Sequence, residues 1–115
     1  MGPLAGGKVV LVRFPFSGGL GSKLRPALVV KAIGQGVWLL CQITSRPFEG
    51  KRGRLLYDSN FIRGSLGRES CVRPDVLFAI SERLIVSVEA ELRPEWFGRI
   101  VDDIARGIKD GGPSC

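Results

Sequence analysis

The stretch Pro26–Ile43, PALVVKAIGQGVWLLCQI, reads as two strands joined by a tight turn. Pro26–Ile33 and Val37–Ile43 are apolar at nearly every position and rich in β-branched residues, and Gly34-Gln35-Gly36 supplies the backbone freedom that a short hairpin needs. A half-exposed strand alternates apolar and polar residues; strands without alternation are buried on both faces, as in a closed barrel or at a subunit interface. Before the hairpin, Lys8–Pro15 (KVVLVRFP) is a further strand, with Val10, Val12 and Phe14 on one face and Arg13 on the other. After it, Arg54–Tyr57 is a short strand and Asp58–Gly67 an irregular return. Ser70–Arg73 and Val76–Ile80 are strand-like pieces divided at Pro74, which cannot donate to a ladder and belongs at an edge or bulge. Leu84–Val88 is another short strand.

The chain ends on one helix, Pro94 to about Lys109. Proline at its first position costs no hydrogen bond, and Glu95 beside it favours the helix dipole. Phe97, Ile100, Val101, Ile104 and Ile108 form one apolar stripe, and Leu92 is placed to staple onto Phe97. Gly98 and Gly107 each weaken this helix by about 1 kcal/mol relative to alanine, so it depends on docking. Short strands at regular spacing with one terminal helix predict a mainly β fold, a small and strongly bent antiparallel sheet or barrel.

At 115 residues the chain is one domain, with 1–6 and 110–115 expected as flexible tails. Lys+Arg 17 against Asp+Glu 11 gives a net charge of +6, which favours RNA, DNA or an acidic protein as partner. Cys41, Cys71 and Cys115 are odd in number and show no metal-knuckle spacing, so neither a disulfide framework nor a zinc site is encoded and a reducing cytoplasm is expected. Cys41 sits in an apolar run and reads as a small core residue. The apolar run after the N-terminus is too short for a signal peptide or a membrane span.

Exclusions narrow the chemistry. The absence of histidine removes Ser-His-Asp triads, HExxH zinc sites and two-histidine ribonuclease chemistry. Gly2–Val9 nearly spells a phosphate-binding loop, but Val9 stands where a Ser or Thr would hold magnesium, and a strand follows. Asp102 and Asp103 are neighbours on a helix and do not face each other, so a two-metal site is unsupported. No cofactor and no metal are expected.

Arginine remains. Arg25, Arg46, Arg73 and Arg93 each precede a proline, which holds their backbone extended. Arg93 precedes the helix; the other three sit at strand–loop junctions, where side chains from different strands converge. In Ser17–Val30, SGGLGSKLRPALVV, a Gly/Ser-rich loop with Lys23 and Arg25 at its exit reads either as a seat for an anion or as a hairpin loop with solvated charges. Thr44–Gly53 (TSRPFEGKRG) reads as a basic loop. If Ser70–Asp75 is extended, Arg73 and Asp75 share a face; that pair alone reads as a structural ion pair as readily as a functional one.

VVLVRFPFSGGLGSKLRPALVV, CQITSR, CVRPDVLFAI and the LRPE helix start, in this order, resemble the MazF/PemK (Kid) family of toxins from toxin–antitoxin systems, in its PemK-like branch. The resemblance implies an SH3-like barrel with a C-terminal helix, a homodimer, metal-independent and sequence-specific cleavage of single-stranded RNA, and neutralisation by an acidic antitoxin. It assigns catalytic roles to Arg25, Thr44, Arg73 and Asp75, with Ser45 beside Thr44. Arg25 would stabilise charge on the phosphate, and Asp75, oriented by Arg73, would act as base. Ser17, Ser22, Lys23, Arg46, Lys51, Arg52 and Arg54 are expected to contact the RNA backbone. The chain departs from the pattern twice: Gly7-Lys8 replaces Gly-Asp, and the first loop carries no acidic residue or histidine. A different class of reading is a non-enzymatic protein, either a CcdB-like inhibitor of a protein target or a passive nucleic-acid-binding module.

Overall fold

A computed structural model describes residues 3–15, 22–45 and 53–111. Seven strands and one helix follow in chain order: β1 (Lys8–Pro15), β2 (Ser22–Gly34), β3 (Val37–Thr44), β4 (Arg54–Leu56), β5 (Phe61–Gly64), β6 (Ser70–Ser81), β7 (Ile85–Leu92) and α1 (Pro94–Asp110). The strands form one antiparallel sheet in the order β4-β6-β3-β2-β1-β7-β5, curled into a half-barrel. The mainly β fold with one C-terminal helix is the architecture anticipated from the strand spacing.

The hairpin at the centre explains the curl. Gly34, Gln35 and Gly36 all take positive φ, at 127°, 53° and 75°, and turn β2 directly into β3. One face of the pair carries Leu28 and Cys41, packed with Val9, Ile43 and Val72 against Ile100 and Ile104 of the helix. The opposite face carries Ala27, Val29 and Leu40, packed with Val10 and Val12 under Phe14, Phe78 and Leu84. The Phe14 and Phe78 rings meet edge to face, centroids 5.2 Å apart. The chain therefore buries much of both faces of its central strands by itself, while Ile33 is 54% exposed and Val37, Trp38 and Leu39 are half-buried.

Several boundaries differ from the sequence reading for identifiable reasons. β2 begins at Ser22, so Lys23, Leu24 and Arg25 are strand residues paired with β1 rather than loop residues. The stretch read as an irregular return contains β5, which pairs with the far end of β7; β7 itself runs on to Leu92. β6 is continuous through Pro74, and the ladder absorbs the proline as a register shift: Cys41 faces Leu77 while Gln42 faces Arg73. The Cys41 thiol donates to the Arg73 carbonyl at 2.9 Å and tethers that bulge.

The helix ends at Gly111, which adopts the left-handed conformation at φ 65°. Ile108 lies off the docked stripe and is 67% exposed. Residues 3–6, expected within the flexible tail 1–6, run against the body together with Gly7. Leu4 packs on the second cluster, Gly6 lies against Phe97, and the Gly7 amide donates to the Val29 carbonyl. No helix among the described residues is long and apolar enough to cross a membrane.

Candidate functional site

Strand register brings the arginines together. Ala27 pairs with Gln42 and Leu28 with Cys41; continuing that register sets Arg25 opposite Thr44. Thr44 in turn faces Cys71, and Gln42 faces Arg73. Arg25 also sits opposite Val12, a member of the cluster away from the helix. Arg25, Thr44 and Arg73 therefore start on one face of the sheet, the face remote from α1.

Arg73 reaches Asp75 with Nη2 at 3.3 Å from Oδ2, and the two side chains are only 15% and 13% exposed. Asp75 Oδ1 accepts no hydrogen bond from a described residue. Burial first, and the negative charge of Asp75 second, push the Cys41 thiol up to about 12. Asp75 is thus held in the packed bulge beside Cys41. The neighbouring Cys71 thiol is raised as well, by burial, against the opposing effects of the Arg54 backbone amide and the Arg73 guanidinium.

An open groove of about 730 Å³ lies at this end of the sheet. Lys23, Arg25, Thr44 and Ser45 all line it, together with the apolar Leu11, Pro26 and Ile43. Lys23, Arg25 and Arg68 line the groove and form no ion pair with any described residue, its acid Glu89 included; Leu11, Pro26 and Ile43 belong to the helix-side face of the sheet, opposite the face from which Arg25 and Thr44 start. Arg73 and Asp75 share the sheet face of Arg25 but are not among the residues lining the groove.

Other candidates fall elsewhere. Arg54 is turned to the helix: its Nε lies 2.8 Å from Asp103 Oδ2 and its guanidinium stacks 5.5 Å from the Trp96 ring centre. It ties strand to helix, because β4 pairs with β6 so that Arg54 and Val72 share the helix face. Ser17, Arg46, Lys51 and Arg52 lie outside the described residues, and of Ser22 only the backbone is described, paired with Pro15. Among the described residues no group of three His, Cys, Asp or Glu side chains gathers as a metal site would require.

Two charged groove residues escaped the sequence reading. Arg68 sits in the turn between β5 and β6, and Glu89 on β7 beyond the point where that strand was expected to end. The alternation of Ser87, Glu89 and Glu91 with Val86, Val88 and Ala90 signals that the strand runs on past Val88, but not the bulge that sets where Glu89 stands.

A half-barrel of seven antiparallel strands, one helix docked on it and a cationic groove at the open end define a recognisable class of small β domain. The chain has the MazF fold. It superposes on a chain of the MazE–MazF complex from Deinococcus radiodurans with a TM-score of 0.72 at 20% identity, covering 92% of this chain and 96% of that one. MazF from the same organism gives 0.64 at 21% identity, covering 93% and 96%. An endoribonuclease in complex with its cognate antitoxin from a mycobacterial species gives 0.58 at 13% identity over 100% of both chains. No family model and no curated protein matches the sequence. The family that the sequence motifs resemble is thus the one whose fold this chain adopts.

Proposed function

We propose that this protein is the toxin of a toxin–antitoxin pair, a metal-independent endoribonuclease that cleaves single-stranded RNA, mRNA in particular, at specific sequences. The observation that carries the reading is the groove itself: Lys23, Arg25 and Arg68, in no ion pair with a described acid, line it together with Thr44 and Ser45 on a MazF-like frame.

In this reading a ribose 2′-OH attacks the adjacent phosphorus, the bond to the 5′ oxygen breaks with that oxygen taking a proton from solvent water, and a 2′,3′-cyclic phosphate is left. Arg25, always protonated and planar, is suited to two phosphate oxygens as charge grows on them; it is a clamp and not a base. The Thr44 hydroxyl, opposite it in register, positions the phosphate with Ser45. Asp75 takes the 2′-OH proton, and Arg73 holds its carboxylate in place. Because Asp75 is largely buried, this step requires the bulge at Pro74 to part enough to admit the ribose hydroxyl to Oδ1.

The same cations would attract an acidic segment of an antitoxin, which would then compete with RNA for the groove. A homodimer is retained on the resemblance alone. The testing experiment is incubation of purified protein with several RNAs in EDTA. Cleavage leaving 2′,3′-cyclic ends supports the nuclease, whereas intact RNA under all conditions favours a non-enzymatic binder of a protein or nucleic acid.

A further inference from the structure

We propose that Glu89 reads a nucleobase and selects guanine in the strand that the groove accepts. The inference rests on the RNA reading above and adds a specificity-determining residue to it.

A carboxylate is out of place in a groove for a polyanion unless the strand meets it with donors. Among the described residues lining this groove Glu89 is the one acid, and it pairs with none of the three cations that share the groove. Its position is set by the sheet. Val9 pairs with Ala90 and Val10 with Val88, so Glu89 is the extra residue of a β-bulge, the device by which a strand re-aims one side chain. The Ser87 hydroxyl donates to Glu89 Oε2 at 2.6 Å, which fixes the carboxylate and leaves its remaining lone pairs for a ligand.

Glu89 stands apart from Arg25 and Thr44 along the groove: its strand β7 is two strands from the β2 of Arg25 and three from the β3 of Thr44. It stands where the base of a flanking nucleotide would lie, beside the apolar surface of Leu11 and Pro26.

An ionised carboxylate only accepts, through two oxygens side by side. Guanine presents two adjacent donors on its Watson–Crick edge, N1–H and the N2 amino group. Adenine and cytosine offer an amino group next to an acceptor, and uracil one N–H between two carbonyls. The bidentate match is to guanine alone, and a match of that kind discriminates by on the order of 10- to 100-fold.

The test uses wild-type protein, Glu89→Gln and Glu89→Ala on short single-stranded RNAs at one fixed salt concentration, reading both titrated affinity and single-turnover cleavage. Each guanine is replaced in turn by inosine, which lacks only the N2 amino group, or by adenine. Wild type is expected to show one position where adenine lowers binding and cleavage on the order of 10- to 100-fold and inosine less. Glu89→Ala, which leaves no acceptor, should bring that preference to near unity; Glu89→Gln, which can pair O6 and N1–H but not also the N2 amino group, should lose the difference between guanine and inosine; and thermal melts identify any variant that fails to fold. A guanine preference unchanged in Glu89→Ala, or none in wild type, overturns the inference. RNA bound with guanine preference but never cut refutes the nuclease and leaves Glu89 as the reader; RNA neither bound nor cut refutes both.

Discussion

Gly64 is where the groove wall is fastened, and replacing it with alanine measures that fastening. Its φ is +70°, and an added Cβ would run into the Glu89 carbonyl oxygen and lie 2.8 Å from the Ala90 Cα. An L-residue in the left-handed region costs roughly 1–2 kcal/mol. The obstacle is backbone and not a movable side chain, so overpacking adds about 1–3 kcal/mol. The lower entropy of the unfolded alanine chain returns about 0.4–1 kcal/mol. Gly64→Ala should therefore destabilise by about 1–4.5 kcal/mol and lower Tm by on the order of 10 °C for a domain of this length. Gly67→Ala is the matched control, with φ +72° and nothing within 4 Å of the added Cβ, so it carries the conformational cost without the collision. Urea unfolding of both variants separates the two contributions. If Gly64→Ala costs no more than Gly67→Ala, β5 does not lie on the Glu89 backbone as described, and the wall carrying Leu66 and Arg68 is not anchored there.

Removing Arg25 should slow single-turnover RNA cleavage on the order of 10²–10³-fold with RNA affinity nearly unchanged, and Arg25→Lys should recover little, since a point charge lacks the planar fork. Arg68→Ala should instead weaken binding and reduce the salt dependence of affinity by about 0.7 in slope, which titrations at several salt concentrations would detect. Asp75→Asn should abolish cleavage while leaving RNA bound; retained cleavage would remove Asp75 as the base. Cys41 is protonated more firmly in the folded chain than in the unfolded one, so its contribution to stability is complete below pH 9.0 and is lost as the pH rises toward about 12. Cys41→Ala should flatten the stability–pH curve across that window by up to about 1.4 kcal/mol per pH unit, read from denaturant melts.

The fold was legible where residues carry unambiguous signals. β1 was read at its true bounds, the Gly34-Gln35-Gly36 turn was placed correctly, and the helix start was marked by Pro94. What misled was local appearance. Lys23 to Arg25 look like loop because two are charged, yet they complete the ladder with Leu24 to Arg13 and Arg25 to Val12. β5 was invisible because it is held by pairing with distant β7 and not by its own composition. Pro74 looked like a break because the bulge that accommodates it is a property of two strands. The site divides the same way. Arg25, Thr44 and the Arg73–Asp75 contact followed from motif and period, whereas Glu89 depends on a bulge and Arg68 on a turn, neither of which local sequence encodes.

The central claim is that Arg25 serves a phosphate undergoing transfer in this groove. It is tested most directly by single-turnover cleavage of a defined RNA in EDTA, with the 3′ ends of the products identified, for wild type and Arg25→Ala side by side. The account predicts 2′,3′-cyclic phosphate ends from wild type and a rate lowered on the order of 10²–10³-fold in the variant at nearly equal RNA affinity. Equal losses of binding and cleavage in Arg25→Ala, or wild-type products without cyclic ends, would contradict it.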